Sequence, residues 1–306
     1  MLRIATFNVL FRDGRNGSGS WSERRPLLRR AIEAARSDVL GLQEVLPSKL
    51  ADVTDLVAPL TLVPGPSAGP SVWSNVSLAV ETVAQTVRTR RIGHAHEPQV
   101  HSERMRTGEH LPIAYRADRF ELLDSGSFWI SANPDRPGSL LPLAWAPFLV
   151  HWARMSATDG AGPLLLMNAH FGHAPWHHAA TSRVVMAQIG ALEDGRVGHF
   201  GAEAAPSSLF LVGDFNALPS SQLLRRLTPP SGAGFVDAAR SAPGRTGPPV
   251  TYHWGTGSTR LGLTLDYVLA RTSLRAKHAE VLDVHDGRRY PSDHHLLVLE
   301  FGPPAG

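Results

Sequence analysis

The chain has 306 residues, of which 42% are hydrophobic and 19% charged, enough ordinary globular material for a sizeable core. It contains no cysteine, which excludes disulfide frameworks, thiolate metal sites and thiol nucleophiles; any metal must sit on oxygen or imidazole ligands. The net charge is only +3, and of the 30 basic residues only Lys49 and Lys277 are lysine, so the arginine bias suits phosphate recognition without making a strongly basic surface.

No apolar stretch approaches the roughly 18 residues of a membrane span. The first apolar run, Leu2–Phe7, reads as a buried strand rather than a leader, and the expectation is a cytoplasmic enzyme. Arg24–Arg36 reads as a helix, with Leu27, Leu28, Ala31, Ile32 and Ala35 as its apolar stripe, Ser20 or Ser22 as cap and Pro26 in its first turn. Val39–Leu42 is strand-like and delivers Gln43 and Glu44 at its end. Pro64–Ser77 and Arg88–Arg106 read as loops, Leu111–Tyr115 and Phe120–Leu123 as paired strands, and Ala132–Pro142 as another loop. Phe148–Met155 is strand-like, and Leu164–Ala169 is an apolar strand ending at His170. A helix follows over His178–Leu192, then a buried strand over Leu209–Val212 running into Gly213 and Asp214. Thr228–Val250 reads as Pro/Gly-rich surface loop, and Leu263–Leu269 and Leu296–Phe301 close the chain as strands. With no internal repeat and no sharp composition break, residues 1–306 are read as one sheet-dominated α/β domain, sheet packed on sheet with helices outside.

The informative pattern is where polar residues fall. Asn8, Glu44, His170, Asp214, Asn216, Asp266, Asp293 and His294 each stand at, in or just after an apolar strand. Burying so many polar groups separately would cost about 1–3 kcal/mol each if unpaired, whereas convergence on one another and on a metal removes that cost. Hard oxygen ligands such as Asn8, Glu44 and Asp293 suit Mg2+, with Mn2+ as a substitute. Asp214 beside Asn216 suits the orientation and deprotonation of an attacking water. Two histidines can flank a phosphorus, stabilising its oxygens or protonating the leaving group, each needing a carboxylate to fix its tautomer.

In this order and in these strand contexts, the motifs resemble the endonuclease/exonuclease/phosphatase superfamily, the deoxyribonuclease I-like fold. The matching segments are Thr6-Phe7-Asn8-Val9, Gln43-Glu44-Val45, Gly108-Glu109 followed by Ile113-Ala114-Tyr115-Arg116, Asn168-Ala169-His170, Gly213-Asp214-Phe215-Asn216-Ala217, Leu265-Asp266-Tyr267-Val268 and Ser292-Asp293-His294; Phe120–Ser131 also resembles bacterial members. The resemblance implies a four-layer α/β sandwich, two packed, mostly antiparallel sheets flanked by helices. It implies Asn8, Glu44 and Asp293 at the metal, His170 partnered by Glu109, His294 oriented by Asp266, and Asp214 and Asn216 positioning water or the scissile phosphate. Tyr115 is a weaker candidate, since a tyrosine on a paired strand is more often packing.

The chain departs from the family pattern at three places. Gly172 stands where His-x-Asp-His would have its acid, Phe148 where an arginine is common, and Thr264 where an arginine or other polar residue is common. These changes keep the catalytic constellation and remove phosphate-contacting or supporting groups. The stretch His170, His173, His177, His178 is spaced for zinc but reads as a polar loop entering a helix, with His170 alone functional. His94, His96 and His101 read as solvated loop, and Trp73, Trp145, Trp176 and Trp254 suit either base stacking or core anchoring. The expected activity is metal-dependent hydrolysis of a phosphodiester, nucleic acid or nucleotide-like; the alternatives are a phosphomonoesterase on a small metabolite or lipid phosphate, or a repurposed binding or non-hydrolytic member.

Overall fold

The computed structural model describes residues 1–12, 19–72, 103–159, 162–196, 207–231, 234–287 and 289–303. Trp73, His94, His96, His101 and most of the predicted loop Arg88–Arg106 lie outside the described residues.

One sheet has seven strands. In chain order these are β1 (Leu2–Asn8), β2 (Val39–Gln43), β3 (Thr61–Val63), β4 (Ile113–Tyr115), β10 (Gly244–Thr246), β12 (Arg275–Leu282) and β13 (Leu296–Gly302), arranged β10-β12-β13-β1-β2-β4-β3. The other has six: β5 (Phe120–Trp129), β6 (Leu149–Ala157), β7 (Pro163–His170), β8 (Ser208–Asp214), β9 (Val236–Asp237) and β11 (Asp266–Thr272), arranged β5-β6-β7-β8-β11-β9. The pairs β1–β2, β10–β12 and β7–β8 are parallel and the other neighbours antiparallel. Helices α1 (Trp21–Ala35) and α2 (Leu50–Val57) cover the first sheet, and α3 (His178–Glu193) and α4 (Gln222–Leu227) the second; α5 (Ala238–Ser241) is one turn between β9 and β10.

Strand alternation explains the layers. On β1, Ile4 faces the other sheet, meeting Phe210 and Val212 of β8 and Val268 of β11, while Ala5 and Phe7 face α1 and its Leu28 and Ile32. On β8, Leu209 and Leu211 face outward to α3 and α4, meeting Val185, Ile189 and Leu223. Both faces of the central strands are buried, which is why they read as continuous apolar runs. Each such large side chain contributes about 1.5–3 kcal/mol on burial. Two sheets between two helical layers is the expected four-layer sandwich.

Helix α1 begins where the sequence predicts a cap. Ser20 accepts from the Glu23 backbone N–H, and the Glu23 side chain reciprocates at Ser20 N. No described helix is long and apolar enough to cross a membrane.

Several expectations are corrected. Leu111–Tyr115 and Phe120–Leu123 do not pair: β4 joins β2 and β3 in the first sheet, and β5 joins β6 in the second. The predicted loop Thr228–Val250 contains β9, α5 and β10. Elements this short carry too little periodicity to be seen against their Pro and Gly neighbours. The last inner strand starts at Asp266 rather than Leu263, and β12 was not anticipated, because its exposed and half-buried Arg275, Lys277, His278 and Glu280 hide the alternation.

Candidate active site

The site is assembled by strand register. Parallel β7 and β8 set His170 opposite Asp214, and antiparallel β11 sets Asp266 opposite the same Asp214, so three candidate residues occupy one row at one end of the six-stranded sheet. In the facing sheet, parallel β1 and β2 set Asn8 beside Gln43, with Glu44 next in the chain. Asp293 and His294 arrive on the loop before β13. Gly213 has φ 138°, and a Cβ there would lie 1.8 Å from the Ala169 carbonyl oxygen, so only glycine lets β8 approach β7 this closely just before Asp214. Phe215 anchors the turn from below, with ring centroids 5.0 Å from Phe171 and 5.1 Å from Tyr267.

Two further buried residues fix the frame. Arg24 of α1 is fully buried and donates to the carbonyls of Val9, Leu10, Arg12 and Pro291, tying the segment after β1 to the segment before Asp293. Asn168 donates to the carbonyls of Leu42 and Pro112 and accepts from Gln43 Nε2 at 2.6 Å, which pins the two sheets together next to the site. Arg24 was not anticipated, because a charged residue in a first helical turn ordinarily faces water.

At the centre stands Asp214. Its Oδ2 is 3.6 Å from His170 Nε2 and 3.5 Å from His294 Nε2. Each imidazole is braced at Nδ1 by a buried carboxylate: His170 by Glu109 Oε1 at 2.6 Å, His294 by Asp266 Oδ2 at 2.7 Å. Asn8 Nδ2 donates to Asp214 Oδ2 at 3.1 Å and to Glu44 Oε1 at 3.2 Å. The Asn216 backbone N–H donates to Asp214 Oδ1 at 2.8 Å; its amide nitrogen donates to the Phe171 carbonyl and lies 3.0 Å from His170 Nε2. Thr251 Oγ1 accepts from the Leu265 and Asp266 backbone N–H groups, and Ser292 Oγ accepts from His294 N while donating to the Asn8 carbonyl. Backbone strain gathers here: Leu10, Glu44, Asn216 and Trp254 all have positive φ and all border one cavity.

Charge follows from burial and neighbours. Burial works against a charged His170, but Glu109, Asp214 and Glu44 outweigh it and raise the ring to about 9. Burial likewise opposes charge on His294, and Asp266, Asp214 and Asp293 raise it to about 10. Burial and the nearby Asp266 push Asp214 up to about 6 against the pull of the two imidazoles. Burial disfavours ionised Glu44, yet Arg104, His170, the Phe11 N–H and the Asn8 amide bring it down to about 2. The Asn216 contact and the raised His170 value describe different proton positions, since two N–H groups cannot face each other. With Nε2 bare, Asn216 donates to it; with Nε2 protonated, Asn216 cannot donate there and that contact is lost.

The donor set fits a hard divalent cation. Burial raises Asp293, and the like charge of Glu44 raises it further, so a cation between these carboxylates relieves a repulsion the protein alone leaves standing. Glu109 Oε2 and Asp266 Oδ1 are buried oxygens without a hydrogen-bond partner among the described residues. Oxygen and nitrogen atoms of Asp214, Asp266 and His294 also lie within 4.8 Å of one another, but the His294–Asp266 hydrogen bond already occupies that cluster. Asn8 Oδ1 accepts from the Leu10 N–H, so Asn8 turns its NH2 rather than its oxygen toward the acids.

All nine sequence-predicted site residues are thus within one connected cluster. The cavity above it, about 460 Å3, is also bordered by His173, which the sequence reading assigned to a polar loop, and by two residues it did not single out, Arg104 and Tyr252. Burial, then the charge of His170, lowers His173. Tyr252 lies 4.8 Å from the His294 ring and 4.7 Å from Trp254. For Arg104 and Tyr252 the only sequence signal is proximity to motif residues. His177 and His178 do not border the cavity; His177 Nε2 meets the Pro142 carbonyl and His178 packs at the start of α3. Tyr115 lies in the core between the sheets. The departures Gly172 and Phe148 are one feature, since a Cβ at 172 would lie 2.8 Å from the Phe148 ring. The Thr264 carbonyl accepts from the Tyr267 hydroxyl.

The family model of the endonuclease/exonuclease/phosphatase family matches residues 5–294, and the chain belongs to this family. Among solved structures, an endonuclease/exonuclease/phosphatase from Bacteroides vulgatus is 19% identical with a TM-score of 0.76, covering 99% of this chain and 98% of that one. Bacteroides thetaiotaomicron mannosyl-6-phosphatase Bt3783 is 21% identical with a TM-score of 0.73, covering 99% and 100%. D. rerio TDP2 complexed with single strand DNA product is 15% identical with a TM-score of 0.63, covering 98% of each chain. At such identities the likeness shows the fold. No curated protein matches the chain. Enzymes of this family are phosphoesterase hydrolases and are generally dependent on a divalent metal.

Proposed function

We propose that this chain is a magnesium-dependent phosphodiesterase acting on nucleic acid or a nucleotide-like diester by in-line attack of water. The observation that carries this reading is Asp214 held between two imidazoles, each locked by its own buried carboxylate.

Glu44 and Asp293 would hold the cation, with Asn8 orienting Glu44 and Asp214; when bound, the ion polarises a phosphate oxygen and offsets negative charge. Asp214, fixed at both oxygens by Asn8 and the Asn216 N–H, takes the proton of the attacking water. A carboxylate raised to about 6 is a stronger base than an ordinary one and is still mostly ionised at neutral pH. His170 and His294, charged through their carboxylates, would face the phosphate oxygens from either side, with His294 giving its Nε2 proton to the leaving oxygen. The 3.5–3.6 Å gaps between Asp214 and the imidazoles exceed hydrogen-bond length, which suits groups meant to close on a ligand oxygen rather than on each other. The aromatic and aliphatic border formed by Tyr252, Trp254, Leu218 and Leu263 favours a leaving group with a flat apolar face such as a nucleobase.

The test is turnover of bis(p-nitrophenyl) phosphate, a dinucleotide and a hexose 6-phosphate with magnesium, with manganese and with chelator. Metal-dependent hydrolysis is expected, with the diesters favoured about tenfold or more in kcat/KM. Preference for the sugar monoester, or full rates in chelator, would overturn the proposal.

A further inference from the structure

On the His170 side, a stack of side chains runs from behind the cavity to its border, where it ends in Phe11 and Arg104. Gly172 leaves space for the Phe148 ring, which a Cβ would meet at 2.8 Å. Phe148 holds Trp145 edge-on, with ring centroids 6.1 Å apart at 86°. Trp145 in turn lies 5.8 Å from the Arg104 guanidinium carbon, and Phe11 lies 4.5 Å from it. Two rings therefore fix the plane of one guanidinium at the border of the cavity, where its side chain is 16% exposed. Among the described residues this guanidinium makes no hydrogen bond, and its one ion pair, to Glu109 Oε2, is 3.5 Å long. Its charge also reaches Glu44, which it lowers, but its forked donors are held in place without a hydrogen bond, which is the form in which arginine binds phosphate oxygens.

Its position says which phosphate. Glu109 gives one oxygen to His170 Nδ1 and turns the other to Arg104, whereas His170 Nε2 faces Asp214. Arg104 thus stands at the Nδ1 side of the imidazole while bordering the same cavity as Glu44 and Asp214, which puts it beside the reacting phosphate rather than on it. Arg12, whose guanidinium carbon is 5.2 Å from the same Phe11 ring, brings a second positive charge to this border. Neutral recognition here is disfavoured, because a permanent cation walled by aromatic rings gains most from an anion.

We propose that Arg104 binds a second phosphate of the substrate next to the scissile one, making this enzyme selective for esters carrying two neighbouring phosphates. The proposal rests on the phosphoesterase reading for its reaction and on the Phe148–Trp145–Arg104–Phe11 stack for its site. The second phosphate can belong to an adjoining internucleotide linkage or to a doubly phosphorylated small molecule.

The experiment pairs substrates that differ by one phosphate: a dinucleotide with and without a 5′-phosphate, and a hexose bisphosphate against the monophosphate. Wild type, Arg104→Met, Arg104→Lys and the exposed control Arg226→Met are compared with magnesium present. Wild type is expected to prefer the doubly phosphorylated member of one pair about tenfold or more in kcat/KM, and which pair shows it identifies the source. Arg104→Met should abolish that preference, mainly through KM; Arg104→Lys, which keeps the charge and loses the fork, should retain part of it; and Arg226→Met should leave it intact. Calorimetric binding of pyrophosphate against inorganic phosphate to the magnesium-loaded protein gives a readout independent of turnover, with the same pattern expected. No preference in wild type, or an equal loss on both members of each pair in Arg104→Met, overturns the proposal. Failure of all esters to turn over while pyrophosphate binding still depends on Arg104 would overturn the phosphoesterase reading alone.

Discussion

The two imidazole arms of the site are built alike at Nδ1 and differently behind it. On one arm, the Glu109 carboxylate that braces His170 has Arg104 at its other oxygen, 3.5 Å away, and His170 Nε2 has Asn216 within 3.0 Å. On the other, Asp266 braces His294 from the first residue of β11, its backbone held by Thr251 and its other oxygen without a hydrogen-bond partner among the described residues; the ring itself lies against Tyr252. The first arm is wired to a cation at the cavity border, so its charge is shared with whatever binds there. The second is insulated by backbone and aromatic contacts, and its imidazole, like that of His170, is raised by neighbouring carboxylates against burial. Similar chemistry on unequal supports suits unequal duties: His294 as proton donor, His170 as a phosphate-facing charge whose strength ligands can adjust.

The largest expected effect strikes what the arms have in common. Asp214→Asn keeps the size and the Asn216 contact but removes the base, and kcat should fall by about 10^3-fold or more, measured with magnesium in a variant that keeps its circular dichroism. His170→Ala and His294→Ala come next, each expected to cost about 10^2–10^3-fold. If the arms differ as described, leaving-group acidity separates them: the His294→Ala loss should shrink on a p-nitrophenyl ester, whose leaving group needs no proton, while the His170→Ala loss should not. Removing the braces is milder. Glu109→Gln and Asp266→Asn should each cost about 10–100-fold, as loss of an orienting partner does elsewhere.

A third buried imidazole sharpens the contrast by lacking a carboxylate. His151 donates from Nδ1 to the Leu111 carbonyl at 2.9 Å, and burial pushes it down to about 4. The folded protein therefore holds this ring neutral while the unfolded chain protonates it below the ordinary value of about 6.5. Its contribution is fully present above that value and is lost as pH falls from about 6.5 toward 4, amounting to about 3 kcal/mol. Urea unfolding of wild type and His151→Gln across that range should show a shallower pH slope in the variant, with turnover at neutral pH little changed. Equal slopes would mean that burial does not set this ring's charge.

How much of this was legible in the sequence depends on how each residue is buried. Strands β1, β2, β7, β8 and β13 are covered on both faces, so they appear as apolar runs, and the polar residues at their ends stand out against them. The partnering of His170 with Glu109 and of His294 with Asp266 was implied by family resemblance rather than by spacing, since each pair joins segments far apart in the chain. Strand β12 was not legible, because Lys277 and Glu280 are partly exposed and its alternation is broken by a register shift between Ala276 and His278. Arg104 sits in an arginine-rich segment where no periodicity marks it, and its value comes from Phe11 and Trp145, which only tertiary packing brings to it. The meaning of Gly172 was hidden for the same reason: its partner is the Phe148 ring.

The central claim is that both imidazoles act on one phosphate held at Asp214, and a double-mutant cycle tests it directly. Magnesium-dependent kcat/KM on one dinucleotide is measured for wild type, His170→Ala, His294→Ala and the double variant. Two groups serving one transition state should be strongly non-additive, the double variant losing at most about tenfold beyond the worse single variant. Losses that multiply across the two sites, or single variants as active as wild type, would contradict the account.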